Sequence, residues 1–124
     1  DNYVATYHGD GLVIATPTGS TAYSLSAGGP VVDPQCRCFV LSPIAPHNLT
    51  MRPVVVPDSS SITLRISSRS GTALISADNR TFTIEDGAEV RIRLAAKRLI
   101  LALPHNNSFY DTLREKMMWG VDKR

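Results

Sequence analysis

The sequence predicts a mainly β, β-sandwich-like domain with a short helix near its start and a longer helix at its end. Three observations predict this. Seven or more short apolar or alternating runs recur at roughly ten-residue spacing, with Gly, Pro, Asp and Asn turn signals between them. Two runs alternate strictly: Ile62, Leu64 and Ile66 with Thr63, Arg65 and Ser67, and Val90, Ile92 and Leu94 with Glu89, Arg91 and Arg93. That period of two is the mark of a half-buried strand. Only the last stretch carries a helical stripe, Phe109, Leu113 and Met117 at i, i+4 and i+8.

Taken in order, Tyr3 to Tyr7 reads as a short strand, and His8-Gly9-Asp10-Gly11 as a turn, since Asp–Gly is a hairpin signal. Leu12 to Thr16 is a β-branched, buried strand that Pro17-Thr18-Gly19-Ser20 breaks. Thr21 to Ala27 has helical propensity, with Ser20 as candidate N-cap and Gly28-Gly29-Pro30 as the stop. Cys38 to Ser42 is the next strand. Pro43, Pro46 and Pro53 then predict an extended loop over Ser42–Pro53 rather than a sheet interior. Strands follow at Val54–Val56, Ile62–Ile66, Thr72–Ala77, Arg80–Ile84, Val90–Leu94 and Arg98–Leu103. Ser108 and Asp111 stand at capping-box spacing before the terminal helix, and Trp119-Gly120 ends it.

At 124 residues the chain is long enough for one domain with its own core, spanning 1–124. A net charge of +2, with no block of basic residues, gives no case for nucleic acid. The longest apolar runs are too short to span a bilayer. Cys36 and Cys38 are too close in sequence for an unstrained mutual disulfide and lack zinc-ligand spacing, which predicts reduced thiols and a cytoplasmic setting. The chain opens at Asp1 in polar sequence that leads straight into a strand, as a piece of a longer protein would.

The chemistry concentrates in Gly9 to Pro30, GDGLVIATPTGSTAYSLSAGGP. Glycine lets a backbone approach something polar closely, and Ser and Thr hydroxyls both donate and accept hydrogen bonds. A plain strand–turn–helix connection would use the same residue types. No glycine precedes a lysine, so there is no P-loop, and Gly9-Asp10-Gly11 opens a strand rather than the helix of a dinucleotide fingerprint. The G-x-S-x-G elbow of a serine hydrolase is absent. His8, His47 and His105 are widely separated and form no metal-ligand pattern, so each reads as a surface or loop residue. Asp10 fits either an Asx-type turn or a carboxylate that accepts from a ribose hydroxyl or an amide.

Three blocks in that run, Gly9-Asp10-Gly11, Thr16-Pro17-Thr18-Gly19-Ser20-Thr21-Ala22-Tyr23 and Ser26-Ala27-Gly28-Gly29-Pro30, resemble the C-terminal domain of the NAD kinase family. Pro43-Ile44-Ala45-Pro46-His47 with Arg52-Pro53 looks like the family's next block, and Phe109-Tyr110, Leu113-Arg114, Lys116 and Trp119-Gly120 resemble its terminal helix. The resemblance covers essentially the whole chain. It implies a two-domain enzyme that moves the ATP γ-phosphate onto the 2′-hydroxyl of the adenosine ribose of NAD, with Mg²⁺ or another divalent metal arriving with ATP. The family's GGDGT motif and its Asn-Asp or Asn-Glu pair lie in an N-terminal α/β domain and are not in this chain. The resemblance therefore implies a substrate-binding domain without catalytic residues, inactive alone, in a homodimer or homotetramer.

Carried over by position, Asp10 would contact the nicotinamide end of the dinucleotide, with His8 at a neighbouring position that is usually basic. Thr18 and the run Thr21, Ala22, Tyr23, Ser24, Leu25, Ser26 would line the site, and Ala45 and His47 would approach the ligand across a subunit contact. The family commonly has Asp-Gly-Gln where this chain has Asp78-Asn79-Arg80. Asn79 would tolerate the left-handed backbone that glycine supplies. Arg80 either loses a ligand contact or adds a cation near phosphate. A diacylglycerol-kinase-like lipid kinase and a non-enzymatic β-sandwich binding or oligomerisation module are the alternatives; TPTGSTAY followed by SAGGP favours the dinucleotide.

Overall fold

A computed structural model describes residues 1–103 and 108–120. The elements are β1 (Gly11–Ala15), α1 (Tyr23–Ser26), β2 (Cys38–Ile44), β3 (Val54–Pro57), β4 (Ile62–Arg65), β5 (Thr72–Ala77), β6 (Arg80–Glu85), β7 (Glu89–Ile92) and α2 (Phe109–Met117), with a 3-10 turn at Thr18–Thr21. The expected mainly β class, with antiparallel sheets, a short helix after the TPTGSTAY run and a C-terminal helix, is what the chain adopts. Two compact units form, Asp1–Pro57 with Ala96–Arg124, and Asp58–Ala95.

In the first unit β2 is the middle strand of an antiparallel sheet ordered β1-β2-β3. Its residues Cys38 to Pro43 are all buried, and Val40 is wholly so. A strand buried on both faces needs no alternation, which is why CFVL reads as a continuous apolar run. Val40 faces Ala15 on one side and Val55 on the other. The loop expected from Ser42 starts later than predicted, because β2 runs on through Pro43 to Ile44. Pro43 is tolerated there because β3 pairs only with Cys38–Leu41 and has ended before it.

Three further expectations change in this unit. Tyr3–Tyr7 is not a strand, and Asp10-Gly11 is no hairpin turn. Instead His47 N–H donates to the His8 carbonyl at 2.7 Å and Asp10 N–H to the Ile44 carbonyl at 3.0 Å, so residues 8–10 run irregularly alongside 44–47. Arg98–Leu103 forms no strand: Leu99 and Ile100 are 87% and 90% exposed, and no described strand pairs with the run. Apolar β propensity does not form a strand without a neighbouring ladder. Pro104 and His105 lie outside the described residues.

The terminal helix follows its sequence closely. Ser108 caps α2 by accepting from the Asp111 N–H at 3.1 Å, and the Asp111 carboxylate accepts from the Ser108 N–H at 3.1 Å. Leu113 is buried, with Phe109 and Met117 half-buried on the same stripe. The helix closes at Met118 in the left-handed region, φ 54, with Trp119-Gly120 beyond.

The second unit holds two antiparallel pairs, β4-β7 and β5-β6. The alternation is confirmed by register: Ile62 faces Ile92 and Leu64 faces Val90, with these four half-buried and the intervening residues exposed. Glu89 bridges Arg65 at 3.4 Å and Arg91 at 3.0 Å. These exposed pairs contribute little. Asp78-Asn79 forms the two-residue β5-β6 turn, and it is Asp78, at φ 53, that takes the left-handed position expected of Asn79. Asp tolerates that backbone for the same reason as Asn, a short polar side chain that bonds locally. No helix among the described residues is long and apolar enough to cross a membrane.

Candidate functional site

The Thr16–Pro30 run folds on its own hydrogen bonds before it meets anything else. Thr16 Oγ1 accepts from the Gly19 N–H at 3.2 Å, which closes the first bend after β1. Ser20 is wholly buried: its hydroxyl donates to the Pro17 carbonyl at 2.6 Å and accepts from the Val32 N–H at 3.0 Å. It is therefore a tie between the 3-10 turn and the chain leaving the motif, and the expected N-cap role falls away. The residue before α1 is Ala22, with φ −96, ψ −128 and no side-chain cap, so the helix begins two residues later than predicted.

That short helix divides its residues between inside and outside. Tyr23 is 61% exposed and Ser26 is exposed, whereas Ser24 is wholly buried, its hydroxyl 2.9 Å from that of Ser42. Leu25 is half-buried. Tyr23, Ser26 and Ala27 form one wall of an open depression of about 470 Å³, and Pro43, Ile44, Ala45 and Pro46 form the other. A second depression of about 390 Å³ is lined by Thr6, His8, His47, Asn48 and Met51. Both are bounded by the segment that follows β2.

Ala45 is held at φ 45, a region that costs an L-residue roughly 1–2 kcal/mol. Gly9 faces it so closely that a Cβ there would lie 2.8 Å from the Ala45 carbonyl oxygen and 2.9 Å from that of Ile44. The glycine thus serves a close backbone approach, as its type suggests, but the approach is to the chain's own 44–46 segment.

Of the residues singled out in the sequence, Tyr23, Ser26 and Ala45 meet in the first depression, and His8 and His47 in the second. Thr18, Thr21 and Ala22 sit in the turn that leads into α1, Thr18 and Ala22 exposed and Thr21 half-buried. Asp10 is exposed at the mouth of β1. Arg80 is exposed at the start of β6, in the second unit. Gly9, Gly29 and Ser42 were missed as contributors to the site. Glycine's value here is a contact distance, and Ser42 lies in an apolar run with no flanking polar signal.

Small hydroxyls, backbone and one aromatic ring make walls suited to holding a polar planar ligand. They supply no acid–base pair. No three His, Cys, Asp or Glu side chains come together among the described residues, so these residues do not fit a metal cage. The second anchor of the unit is Tyr110 on α2, whose hydroxyl donates to Asp33 at 2.5 Å. This bond, with the Gln35 N–H, holds the Asp33 carboxyl below its ordinary value and raises the Tyr110 phenol. Asp111 is likewise lowered, chiefly by the Ser108 N–H it accepts.

Residues 1–102 match the model of the ATP-NAD kinase C-terminal domain. The chain is 52% identical over its whole length to an NAD kinase of Porphyromonas gingivalis and 46% identical to one of Christiangramia forsetii. It spans 43% and 42% of the length of those relatives. Among solved structures it is similar to yeast NADH kinase complexed with NADH, with a TM-score of 0.86 and 28% identity, over 98% of this chain and 38% of that one. It is also similar to an NAD kinase from Archaeoglobus fulgidus in complex with ATP, with a TM-score of 0.66 and 35% identity, over 75% of this chain and 35% of that one. On this match, and on the motif blocks that form the depression, the chain belongs to the ATP-NAD kinase C-terminal domain family.

Proposed function

We propose that the chain, as one domain, holds the dinucleotide in an NAD kinase, whose full length transfers the ATP γ-phosphate to the 2′-hydroxyl of the adenosine ribose of NAD to give NADP. The observation that carries this is Tyr23, Ser26 and Ala27 of the glycine- and hydroxyl-rich run set against Pro43–Pro46 as two walls of one open depression, in a chain of this family. NADH and ATP in the complexes of the two similar structures support the same ligand classes. Family membership does not favour the lipid-kinase or non-enzymatic alternatives.

Phosphoryl transfer is mostly positioning and electrostatics. An acceptor-holding domain can therefore be separate from the domain that grips phosphate, base and Mg²⁺. In this reading Asp10 accepts from the nicotinamide end, and Thr18 and Thr21–Ser26 face the dinucleotide, with Ser24 acting from behind the wall. His8 stands at the position beside Asp10, and Ala45 and His47 approach the ligand across a subunit contact of a homodimer or homotetramer. In this reading the exposed run Leu99–Leu103 packs against the N-terminal α/β domain that the family resemblance implies. A cytoplasmic setting fits the spacing of Cys36 and Cys38, which is too close for an unstrained mutual disulfide.

Titration calorimetry of the full-length protein with NAD, NADP and ATP tests the reading. Binding of NAD or NADP that is lost when the Thr16–Pro30 run is replaced by an alanine–serine linker of equal length is expected. Full-length protein that binds ATP and neither dinucleotide would remove it.

A further inference from the structure

The two walls of the depression are joined behind their faces by a buried clasp. Ser24 directly follows Tyr23, and Ser42 directly precedes Pro43, so each serine is the chain neighbour of a wall residue. Their hydroxyls are 2.9 Å apart and both residues are wholly buried. Gly29 lies over the pair. Its N–H donates to the Ser24 carbonyl at 2.7 Å, and a Cβ at this position would stand 2.4 Å from Ser24 Oγ and 2.7 Å from Ser42 Oγ. Real Cβ atoms do not come so close, so the clasp closes only under glycine. The φ of Gly29 is not in the left-handed region, and the requirement is one of space alone.

A buried hydroxyl pair inside an apolar strand is costly unless both partners are present. A Val or Leu at Ser42 would continue the apolar run of β2, and a larger apolar residue at Ser24 would cover more area. What the hydroxyls add is direction: one bond sets how far α1 stands from β2. A four-residue helix with no side-chain cap cannot set that distance itself.

We propose that Ser24, Ser42 and Gly29 are positioning residues, which lock α1 to β2 and thereby fix the Tyr23–Ser26 wall relative to the Pro43–Pro46 wall. The inference rests on the reading of this depression as the dinucleotide site. Pre-set walls spare the ligand the cost of ordering them, so the lock acts on dinucleotide affinity and not on ATP.

The test uses the full-length enzyme with Ser24→Ala, Ser42→Ala, the double variant and Gly29→Ala, and with Leu113→Ala as a control that lowers stability elsewhere. Each single variant is expected to raise KM for NAD about five- to thirty-fold while KM for ATP is unchanged. The double variant is expected to be no worse than either single one, because the same bond is lost and no hydroxyl is left unpaired. Leu113→Ala should lower Tm without separating the two KM values. Equal changes in both KM values, or the Leu113→Ala pattern in the serine variants, would overturn the proposal. Hydrogen exchange at the amides of residues 23–29 gives an arm independent of ligand. Exchange should quicken in Ser42→Ala, and unchanged protection would overturn the lock even if NAD binds. If the wild-type enzyme binds no dinucleotide, the functional reading fails by calorimetry, and the exchange arm still decides whether the clasp holds α1.

Discussion

Gly9 meets a carbonyl oxygen where any other residue would begin its side chain. With Ala45 O and Ile44 O both under 3 Å from the site of a Cβ, Gly9→Ala must push the 44–46 segment outward. Overpacking of this kind costs roughly 1–3 kcal/mol. The expected outcome is a urea midpoint lowered in proportion, together with weaker dinucleotide binding, since Ala45 and Pro46 belong to the wall that moves. Asp10 next to it is exposed and makes its ladder bond through the backbone, which leaves its carboxylate outside the fold's own bonding. Asp10→Asn should therefore leave Tm unchanged. Loss of a charge-assisted contact of roughly 1.5–3 kcal/mol should raise KM for NAD by about one to two decades, with KM for ATP unaffected. A fall in Tm, or equal effects on both substrates, would place Asp10 in the structure and not in the site.

Among the elements, α2 is attached through titratable groups. Its cap uses the Asp111 carboxylate, and its first turn is tied to the loop before β2 by Tyr110 and Asp33. Both carboxyls are held below the ordinary carboxylate value in the folded chain, Asp33 chiefly by the Tyr110 hydroxyl and Asp111 chiefly by the Ser108 N–H. Their contribution is therefore complete above the ordinary carboxylate range and is lost as pH falls through the lowered values. Tyr110 is raised above 10.0, so its contribution is complete below that pH and is lost as pH rises through the raised value. Exchange protection of the α2 amides should accordingly fall as pH drops through the lowered carboxyl values and again as it rises through the raised phenol value, before the β1-β2-β3 ladder loses protection. Ser108→Ala should lower α2 protection by about 0.5–2 kcal/mol at neutral pH and remove part of the acid response. An acid response that Ser108→Ala and Asp33→Asn both leave intact would rule out these groups as its source.

At the scale of the whole molecule, the chain spans under half the length of its relatives. We expect the 124-residue protein alone to form no NADP from NAD and ATP in a coupled dehydrogenase assay. Measurable formation would contradict the division of labour. Leu99 and Ile100, almost fully exposed here, should show protected amides in the full-length protein and rapid exchange in the 124-residue chain. Equal, rapid exchange in both would mean that the N-terminal domain does not cover this run.

Period and punctuation were enough to read the strands β4 to β7, the capping box and the stripe of α2, because each rests on near neighbours in sequence or on strict alternation, whereas the pairing of β4 with β7 joins segments far apart in the chain. The run from Gly9 to Pro30 was likewise recognisable from residue types that suit close approach and hydrogen bonding. Other features depended on partners far away in sequence. Pro43 could enter β2 only because β3 stops at Leu41's partner, and Arg98–Leu103 stayed unpaired because no described strand lies beside it. The family resemblance places Ser24 among the residues lining the site, yet Ser42 holds it inside, and the glycine over them is explained only by the distances to both hydroxyls. Sequence alone determined which residue types surround the site and which family they belong to. Tertiary structure decided which of them line the depression and which hold its wall, because burial and bond partners are set by segments that meet only once the chain is folded.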